Sequence, residues 1–363
     1  MKKALSLFLA AALGVSALTG CASKPAETAA ETTAAETTTA VETTTAAETT
    51  AAAETSAEKA EAGSETVVRV GGLKGPTTMG LVKLMDDAEK GSAENSYEFT
   101  MVTAADELTA LVASGKVDIA LLPANVGSVL YNKTKGGVVA IDVNTLGVLY
   151  LVSADTSIES MEQLKGKTIY LPGKGTTPDY VIRYLISAAG LSEDDVTLEF
   201  KSEAAEVASV LAEDPGAIGL LPQPFVTAAM AQNDQLSIIM DLTEVWDSFQ
   251  AEGTGSRLVT GVTIVNKTFL DEHAELVDIF LDEHEASIAF TAEDADTASE
   301  LIAAAGIVAK APLAKKALPY CNITFLKGEE MKDALTGYLN VLYEQDPTSV
   351  GGVLPDDAFY YIQ

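Results

Sequence analysis

Short apolar runs alternate with helically spaced apolar residues along most of this chain. Runs of the first kind predict strands and the second kind predicts helices. In the first part of the chain, strands are predicted at 67–70, 97–102 and 117–122, and helices at about 79–89, 105–114 and 125–131. Strands and helices that alternate at this spacing predict a mainly parallel sheet with helices on its faces.

Two Gly/Thr turns occupy equivalent places in this pattern. One is Lys-Gly-Pro-Thr-Thr at 74–78, and the other is Lys-Gly-Thr-Thr-Pro at 174–178. Thr77 and Thr176 are 99 residues apart, and the same offset aligns the Leu-Pro pair at 122–123 with the pair at 221–222. A repeat of about a hundred residues is too long for a solenoid unit of roughly 20–50. The repeat predicts two similar lobes, and coincidence is the alternative.

The remaining elements fit this division. The second lobe is predicted to contain strands at 168–171, 196–201, 217–221 and 237–240, with helices at 178–189 and 204–212. The apolar run 146–153 is predicted to leave the first lobe, and 261–266 is predicted to return to it. Everything after residue 266 is predicted to be helical, at about 270–290, 295–305 and 328–344.

The first 21 residues have the pattern of a bacterial lipoprotein leader. A basic start is followed by an apolar run at 4–17, which is too short to cross a bilayer. Leu18-Thr19-Gly20-Cys21 resembles a lipobox, which implies cleavage before Cys21 and attachment of lipid to its sulfur. The lipid would hold the protein on the extracytoplasmic face of the cell membrane. The alternative is an ordinary secretory signal with an incidental Cys.

Residues 22–66 are almost entirely Ala, Glu and Thr, with Val41 as the one large aliphatic residue. Such a segment cannot bury enough apolar surface to offset its ordering entropy. We therefore predict a disordered tether between the lipid and the folded lobes.

Composition excludes several classes of function. The formal net charge is −30, which argues against nucleic acid as a partner. The only other cysteine besides Cys21 is Cys321, so neither an internal disulfide nor the usual metal cluster is expected. His273 and His284 lie in a predicted helix among acidic residues, and we predict that both are at the solvated surface.

Three stretches resemble one family of proteins. They are 173–191, 218–225 and 261–281, the last containing Val-Asn-Lys-Thr-Phe-Leu at 265–270. They resemble the solute-binding proteins of bacterial ABC importers of the nitrate/sulfonate/taurine and thiamine-precursor group. The resemblance implies an α/β fold of the type II periplasmic-binding class, with two lobes joined by two crossing strands. The lobes would comprise 67–152 with 258–363, and 153–257.

Ligands of open α/β sheets bind beyond the C-terminal ends of the strands. The loops at these ends, together with the segment before the return strand, supply the candidate ligand-binding residues Leu73, Lys74, Thr77, Thr78, Asn125, Gly175, Thr176, Thr177, Gln223 and Arg257. Hydroxyl and N–H groups at two helix starts would suit a carboxylate or sulfonate. The alternative is that each Thr only caps its own helix.

Two of these residues bear on the charge of the ligand. Where the family often has an acidic residue before Pro-Phe, this chain has Gln223, which weakens the case for a cationic ligand. Arg257 is one of three arginines, and its guanidinium would suit a planar anion. A surface Arg257 paired with a carboxylate is the equal alternative. Trp246, the only tryptophan, is expected to pack in the core.

The leading hypothesis is a monomeric lipoprotein that captures a small anionic solute and delivers it to a permease and its ATPase. A pyrimidine thiamine precursor is the second candidate solute, and a sensing or adhesive lipoprotein without transport is the other class. Enzymes resembling this family exist, but one branch needs a Cys cluster that this chain lacks, and another is cytosolic. No nucleophile–base pair is apparent, so we predict no catalytic residue, cofactor or metal.

Overall fold

The computed structural model describes residues 66–250 and 256–362 of this 363-residue chain. The predictions of a leader at 1–21, a lipidated Cys21 and a tether at 22–66 concern residues outside these ranges, apart from Thr66. No helix in the described part is both long and apolar enough to span a membrane.

Strands and helices alternate through the described residues. The strands are β1 (Val67–Leu73), β2 (Ser96–Val102), β3 (Ile119–Pro123), β4 (Val138–Leu146), β5 (Leu149–Ser153), β6 (Thr168–Pro172), β7 (Thr197–Lys201), β8 (Ile218–Pro222), β9 (Ser237–Asp241), β10 (Val259–Asn266) and β11 (Ile323–Leu326). The helices are α1 (Val82–Glu89), α2 (Ala105–Ala113), α3 (Ala124–Thr134), α4 (Thr177–Ala188), α5 (Ala204–Glu213), α6 (Phe225–Gln232), α7 (Leu242–Phe249), α8 (Lys267–Glu272), α9 (Ala274–Glu293), α10 (Ala295–Ala304), α11 (Ala311–Ala317) and α12 (Gly328–Gln345).

These strands form two sheets. The first has the order β11-β4-β10-β3-β1-β2, and the second has the order β7-β6-β8-β5-β9. In each sheet three strands are parallel, and a fourth, β10 or β5, runs antiparallel to its neighbours. The predicted two-lobed α/β architecture is confirmed.

The hundred-residue repeat is confirmed at the level of strand register. In the first sheet Val70 pairs with Ile119 on one side and Phe99 on the other. In the second sheet Ile169 pairs with Ile218 and Leu198, each 99 residues later in the chain. Since the strand orders also correspond, the offset reflects one structural unit that occurs twice.

The chain crosses between the lobes at two places. It leaves the first sheet at the end of β4 and enters the second at Leu149, and it returns after α7 to begin β10. The run 146–153 does lead from the first sheet to the second, as predicted, but it is not one continuous strand, because Gly147 and Val148 separate β4 from β5. Most of β4 was missed because Asp142 and Asn144 interrupt its apolar run, although both are buried.

Helices α6, α7 and α11 were also missed. The prediction that all residues after 266 are helical is wrong for strand β11 and for 346–362, which contain no α-helix. Strand β11 is only four residues long and forms the half-buried edge of the first sheet. So short a segment of Ile, Thr, Phe and Leu carries too little periodicity to predict a strand.

The surface prediction is wrong for His284. This residue is fully buried on α9, where its ring lies 5.3 Å from that of Phe280. Its Nδ1 is 3.1 Å from Asp142 Oδ2. The other oxygen of this carboxylate, Oδ1, accepts a 2.7 Å hydrogen bond from the Thr263 hydroxyl. The signal was present in the sequence, because His284 continues the i, i+3, i+4 spacing of the buried residues 277, 280 and 281. His273 is only half-buried.

Trp246 packs in the core, as predicted. Its side chain is fully buried on α7, with ring centroids 4.6 Å from Tyr184 of α4 and 5.8 Å from Tyr338 of α12. Helix α12 also packs on the first sheet. The single tryptophan therefore lies where the two lobes meet.

We expect His284→Phe to lower the free energy of unfolding by roughly 3–5 kcal/mol, because it leaves the buried Asp142 carboxylate without one of its two partners. His273→Phe is the control, because His273 is only half-buried and lies immediately before the same helix, so its cost should be below about 1 kcal/mol. Urea denaturation of both variants measures the difference. Equal losses in the two variants would contradict the role assigned to the Asp142–His284 pair.

Candidate functional site

The C-terminal ends of the parallel strands of the two sheets lie where the lobes meet. Strands β1 and β3 end at Leu73 and Pro123, and their counterparts β6 and β8 end at Pro172 and Pro222. Two contacts bridge the lobes around these ends. Helix α12 packs on α4, and the Tyr150 hydroxyl donates a 2.9 Å hydrogen bond to the carbonyl of Tyr320.

Three of the predicted ligand contacts are buried at these strand ends. Thr77, Thr78 and Gln223 are 5%, 0% and 1% exposed. Thr77 Oγ1, Thr78 Oγ1 and Gln223 Nε2 have no hydrogen-bond partner among the described residues. A buried polar atom without a partner costs about 1–3 kcal/mol, so these atoms mark a place that a ligand or water would satisfy.

Four more hydroxyls of the same kind occur, and three of them lie near the segment that returns to the first lobe. Buried hydroxyl oxygens without a hydrogen-bond partner in the described part of the chain also occur on Thr243, Ser256, Thr260 and Ser349. Sequence reasoning missed these residues, because Ser and Thr near element ends resemble ordinary caps and turn residues. Their place in the chain could have indicated them, because Thr243, Ser256 and Thr260 all lie between β9 and the middle of β10.

Glycines allow the crossing segments to approach their neighbours closely. A Cβ atom on Gly261 would lie 2.6 Å from Thr77 Cγ2, and it would also collide with Asn144 Oδ1. A Cβ on Gly147 would collide with Thr243 Oγ1 and lie 2.8 Å from Leu258 Cδ2. Both positions therefore require glycine, which has no side chain to collide with these neighbours.

The start of α4 does not fit the alternative in which Thr176 caps its own helix. Thr176 precedes the helix, but its Oγ1 donates to the carbonyl of Gly173 at 2.6 Å and makes no capping bond. The N–H of Gly175 instead donates to Asp179 Oδ2 at 2.8 Å. Asp179 thus places a carboxylate of the protein where we expected an anionic ligand.

The first copy of the turn also lacks a Thr cap. Residues Pro76–Leu81 form a 3-10 helix, and no side chain caps it. Thr77 and Thr78 lie inside this helix, so their hydroxyls are free of a capping role. The alternative that each Thr only caps its own helix is wrong for both copies.

Two further candidates contact the C-terminal part of the chain through long hydrogen bonds. Thr177 Oγ1 is 3.5 Å from the hydroxyl of Tyr338, and Asn125 Nδ2 is 3.4 Å from the carbonyl of Ser349. Both are buried. Burial also raises the pKa of Tyr338, so its hydroxyl stays protonated. Leu73, at the end of β1, is half-buried.

The charged candidates lie outside this buried cluster. Lys74 is exposed, and Lys174 is exposed with its Nζ 5.6 Å from the ring centroid of Phe200. Arg257 is 56% exposed in its side chain and lies 3.6 Å from Asp247. Burial raises the pKa of Asp247, and Arg257 acts in the opposite direction. The cluster of unpartnered groups is therefore uncharged.

The described residues contain no group of three or more His, Cys, Asp or Glu side chains placed to hold a metal ion. Burial raises the pKa of the Cys321 thiol to about 12. A thiol with so high a pKa is not a ready nucleophile.

Comparisons with known proteins identify the class. The fold matches an ABC transporter from Parabacteroides distasonis at a TM-score of 0.68 and 25% identity, covering 82% of this chain and 99% of the other. It also matches the aliphatic sulphonate binding protein SsuA of Escherichia coli at a TM-score of 0.64 and 17% identity. That match covers 79% of this chain and 90% of the other. A Candida albicans protein described as having the generic periplasmic binding protein fold matches at a TM-score of 0.51 and 16% identity. That match covers 80% of this chain and 98% of the other. The predicted type II periplasmic-binding-protein fold is confirmed.

The family follows from the sequence. The model of the NMT1/THI5-like family matches residues 98–298, which is more than half of the chain, and the chain belongs to this family. The predicted family of ABC-importer solute-binding proteins is thereby confirmed. No curated protein sequence matches the chain significantly.

We expect Thr78→Val to separate stability from binding. The valine replaces an unpartnered buried hydroxyl by a methyl group, so the ligand-free protein should gain up to about 1 kcal/mol while solute affinity falls. Thr263→Val is the control, because Thr263 Oγ1 makes two hydrogen bonds and its loss should destabilise. Denaturation and solute titration measure both quantities. A destabilised Thr78→Val with unchanged affinity would show that the hydroxyl is not a ligand contact.

We expect Gly147→Ala to weaken solute binding at least tenfold. Its Cβ collides with Thr243 and Leu258, so the crossing segment must move and the arrangement of the lobes around the candidate site changes. Gly216→Ala is the control, because its nearest contact is Asp214 Oδ1 at 3.4 Å. Calorimetric titration compares the two variants, and equal affinities would argue against a constraint at Gly147.

Proposed function

We propose that this protein is the lipid-anchored solute-binding protein of an ABC importer. It takes up a small solute between its two lobes and delivers it to a membrane permease and its ATPase. The observation that carries the proposal is the set of buried, unpartnered polar atoms at the facing strand ends, which includes Thr78 Oγ1 and Gln223 Nε2. Family membership and the fold support the same function.

The proposed domain layout follows the sheets. Residues 1–21 are the leader, 22–66 the tether, 67–152 and 258–363 the first lobe, and 153–257 the second lobe. The first sheet resumes at Val259, which supports the division at 257/258, whereas the second sheet already begins at Leu149 and so favours a first division a few residues before 152. Lipid on Cys21 would keep the lobes beside the permease, and the tether would let them reach it.

Binding would proceed by hinge closure. A solute that contacts Thr78 in one lobe and Gln223 in the other favours the closed arrangement, because only that arrangement satisfies both groups. The crossing segments at 147–148 and before Val259 are the places where the chain would bend. The permease would then recognise the closed form.

A small anionic solute is the first candidate. The proteins of similar fold include sulfonate-binding proteins of Escherichia coli and Methylobacillus flagellatus, which supports a sulfonate or carboxylate. A neutral pyrimidine is the second candidate, because the buried cluster offers hydroxyl and amide groups without a charged residue. Such groups match the ring nitrogen and exocyclic amine of a heterocycle.

An enzymatic role is not part of the proposal. The buried His284 already bonds to Asp142, and burial keeps the Cys321 thiol protonated. A sensing or adhesive lipoprotein would have the same lobes. Solute accumulation by cells that carry or lack the protein separates transport from that alternative.

We expect one class of solute to raise the melting temperature of the full chain in a mild detergent. At a hundred times its dissociation constant, a solute adds roughly 2.7 kcal/mol, which is a shift of several degrees. The screen contains sulfonates, carboxylates, amino acids and pyrimidines. Because Trp246 lies between the lobes, its fluorescence should change with the same solute. No shift with any of the four classes would contradict solute binding.

A further inference from the structure

A pocket beside the cleft is built by both lobes. The second lobe contributes residues of α6 and β9, and the first lobe contributes α11 and the turn after it. Its lining includes Gln223, Thr227, Met230, Ile238, Lys315, Lys316 and Tyr320. The volume of about 430 Å³ lies within the range of roughly 300–1,000 Å³ typical of small-molecule sites.

The charge of this pocket is opposite to that of the chain. Lys315 and Lys316 line it, and no carboxylate does. Four other cavities of similar volume in the described residues are each lined by at least one acidic side chain, such as Asp179, Asp86, Asp118 and Asp333. In a chain with 53 acidic and 23 basic residues, a purely basic lining favours an anion here.

One of the two lysines is available for a ligand. Lys315 forms an ion pair with Asp296 on α10. Lys316 is exposed, and within residues 66–250 and 256–362 its ammonium has neither a hydrogen bond nor an ion pair. Lys316 is therefore the cation that an incoming anion would meet.

Gln223 lines the same pocket, and one end of its amide is already hydrogen-bonded. Its Oε1 accepts hydrogen bonds from Thr227 Oγ1 at 2.8 Å and from the Thr227 N–H at 3.3 Å. These two bonds fix the oxygen end of the amide, so Nε2 is the end that remains. Nε2 is buried without a partner in the described structure, and Gln223 is 1% exposed. A buried N–H₂ group of this kind donates readily to an anionic oxygen.

Apolar side chains complete the pocket. Met230 and Ile238 line it from the second lobe, and Tyr320 faces them from the first. The backbone of Tyr320 is held across the lobes by the hydroxyl of Tyr150, and the two rings pack edge to face at 6.4 Å. Tyr320 as a whole residue remains 47% exposed, so its ring is accessible to a bound molecule.

We propose that this pocket binds the anionic head group of a solute between Lys316 and Gln223, with the apolar body of the solute against Met230 and Ile238. The inference rests on the proposed function and specifies its substrate class as an amphipathic sulfonate or carboxylate. Gln223 belongs both to the buried cluster and to this pocket, so it connects the head group to the cleft.

The test is calorimetric titration of the full chain with methanesulfonate, hexane-1-sulfonate and neutral hexan-1-ol. Lys316→Gln should weaken binding of both sulfonates about tenfold, since it removes one charge-assisted hydrogen bond. Lys310→Gln is the matched control, because Lys310 precedes the same helix but does not line the pocket. The control should bind sulfonates as the wild type does.

The apolar part is tested with Met230→Gln. The wild type should bind hexane-1-sulfonate more tightly than methanesulfonate, because the longer chain buries more apolar surface. Met230→Gln should weaken the binding of hexane-1-sulfonate more than that of methanesulfonate, so that the difference between the two affinities falls at least threefold.

Three outcomes would overturn the inference, and they differ in what they say of the proposed function. Equal sulfonate affinities in the wild type, Lys316→Gln and Lys310→Gln would place the solute elsewhere while leaving solute binding intact. Thermal shifts with pyrimidines or amino acids but not with sulfonates or carboxylates would exclude the substrate class alone. The absence of any shift in the whole screen would overturn both.

Discussion

Burial of uncharged polar groups between the two lobes is the constraint on which this structure depends. Thr78 has no exposed surface and Gln223 almost none, yet each has a polar atom without a partner in the described chain. Native interiors leave few such atoms unsatisfied, because each costs about 1–3 kcal/mol. Hydrogen bonding between the lobes is therefore incomplete in this arrangement, and a solute that supplies the missing hydrogen bonds would stabilise it. Binding and closure are then one process.

The repeated unit explains how one fold produces two facing edges. Pairing of Val70 with Ile119 and of Ile169 with Ile218 shows that both lobes are built in the same register. The copies differ where the solute would bind. In the first, Thr77 and Thr78 lie within a 3-10 helix and leave their hydroxyls unpartnered, whereas in the second Asp179 satisfies the N–H of Gly175. The two halves of the site therefore share a backbone arrangement but present different polar groups.

The sequence was most informative where structure is local. The Gly/Thr turns, the strands ending in Leu-Pro and the offset of 99 residues follow from short-range pattern, and the sheets confirm them. It was least informative where polar residues are buried by distant partners. Strand β4 was hidden by Asp142, whose partners Thr263 and His284 are more than a hundred residues away. These contacts depend on the order of strands in the sheet, which cannot be predicted from the local pattern of apolar and polar residues.

The candidate site was predictable only in part, for the same reason. Thr77, Thr78 and Gln223 follow from their places after strands. Lys316 does not, because nothing in its own segment distinguishes it from Lys315 or Lys310. Only the folded chain shows that Lys315 is paired with Asp296 and that Lys316 lines a pocket with Gln223. The residues that line this pocket are therefore determined by which surfaces of the two lobes come into contact.

The most direct test of the account is a crystal structure of the protein grown with the solute that gives the largest thermal shift. The account predicts that the solute lies between the lobes, with polar atoms about 2.7–3.2 Å from Thr78 Oγ1 in one lobe and Gln223 Nε2 in the other. A solute bound to one lobe alone, with Thr78 and Gln223 still unpartnered or satisfied only by water, would contradict it.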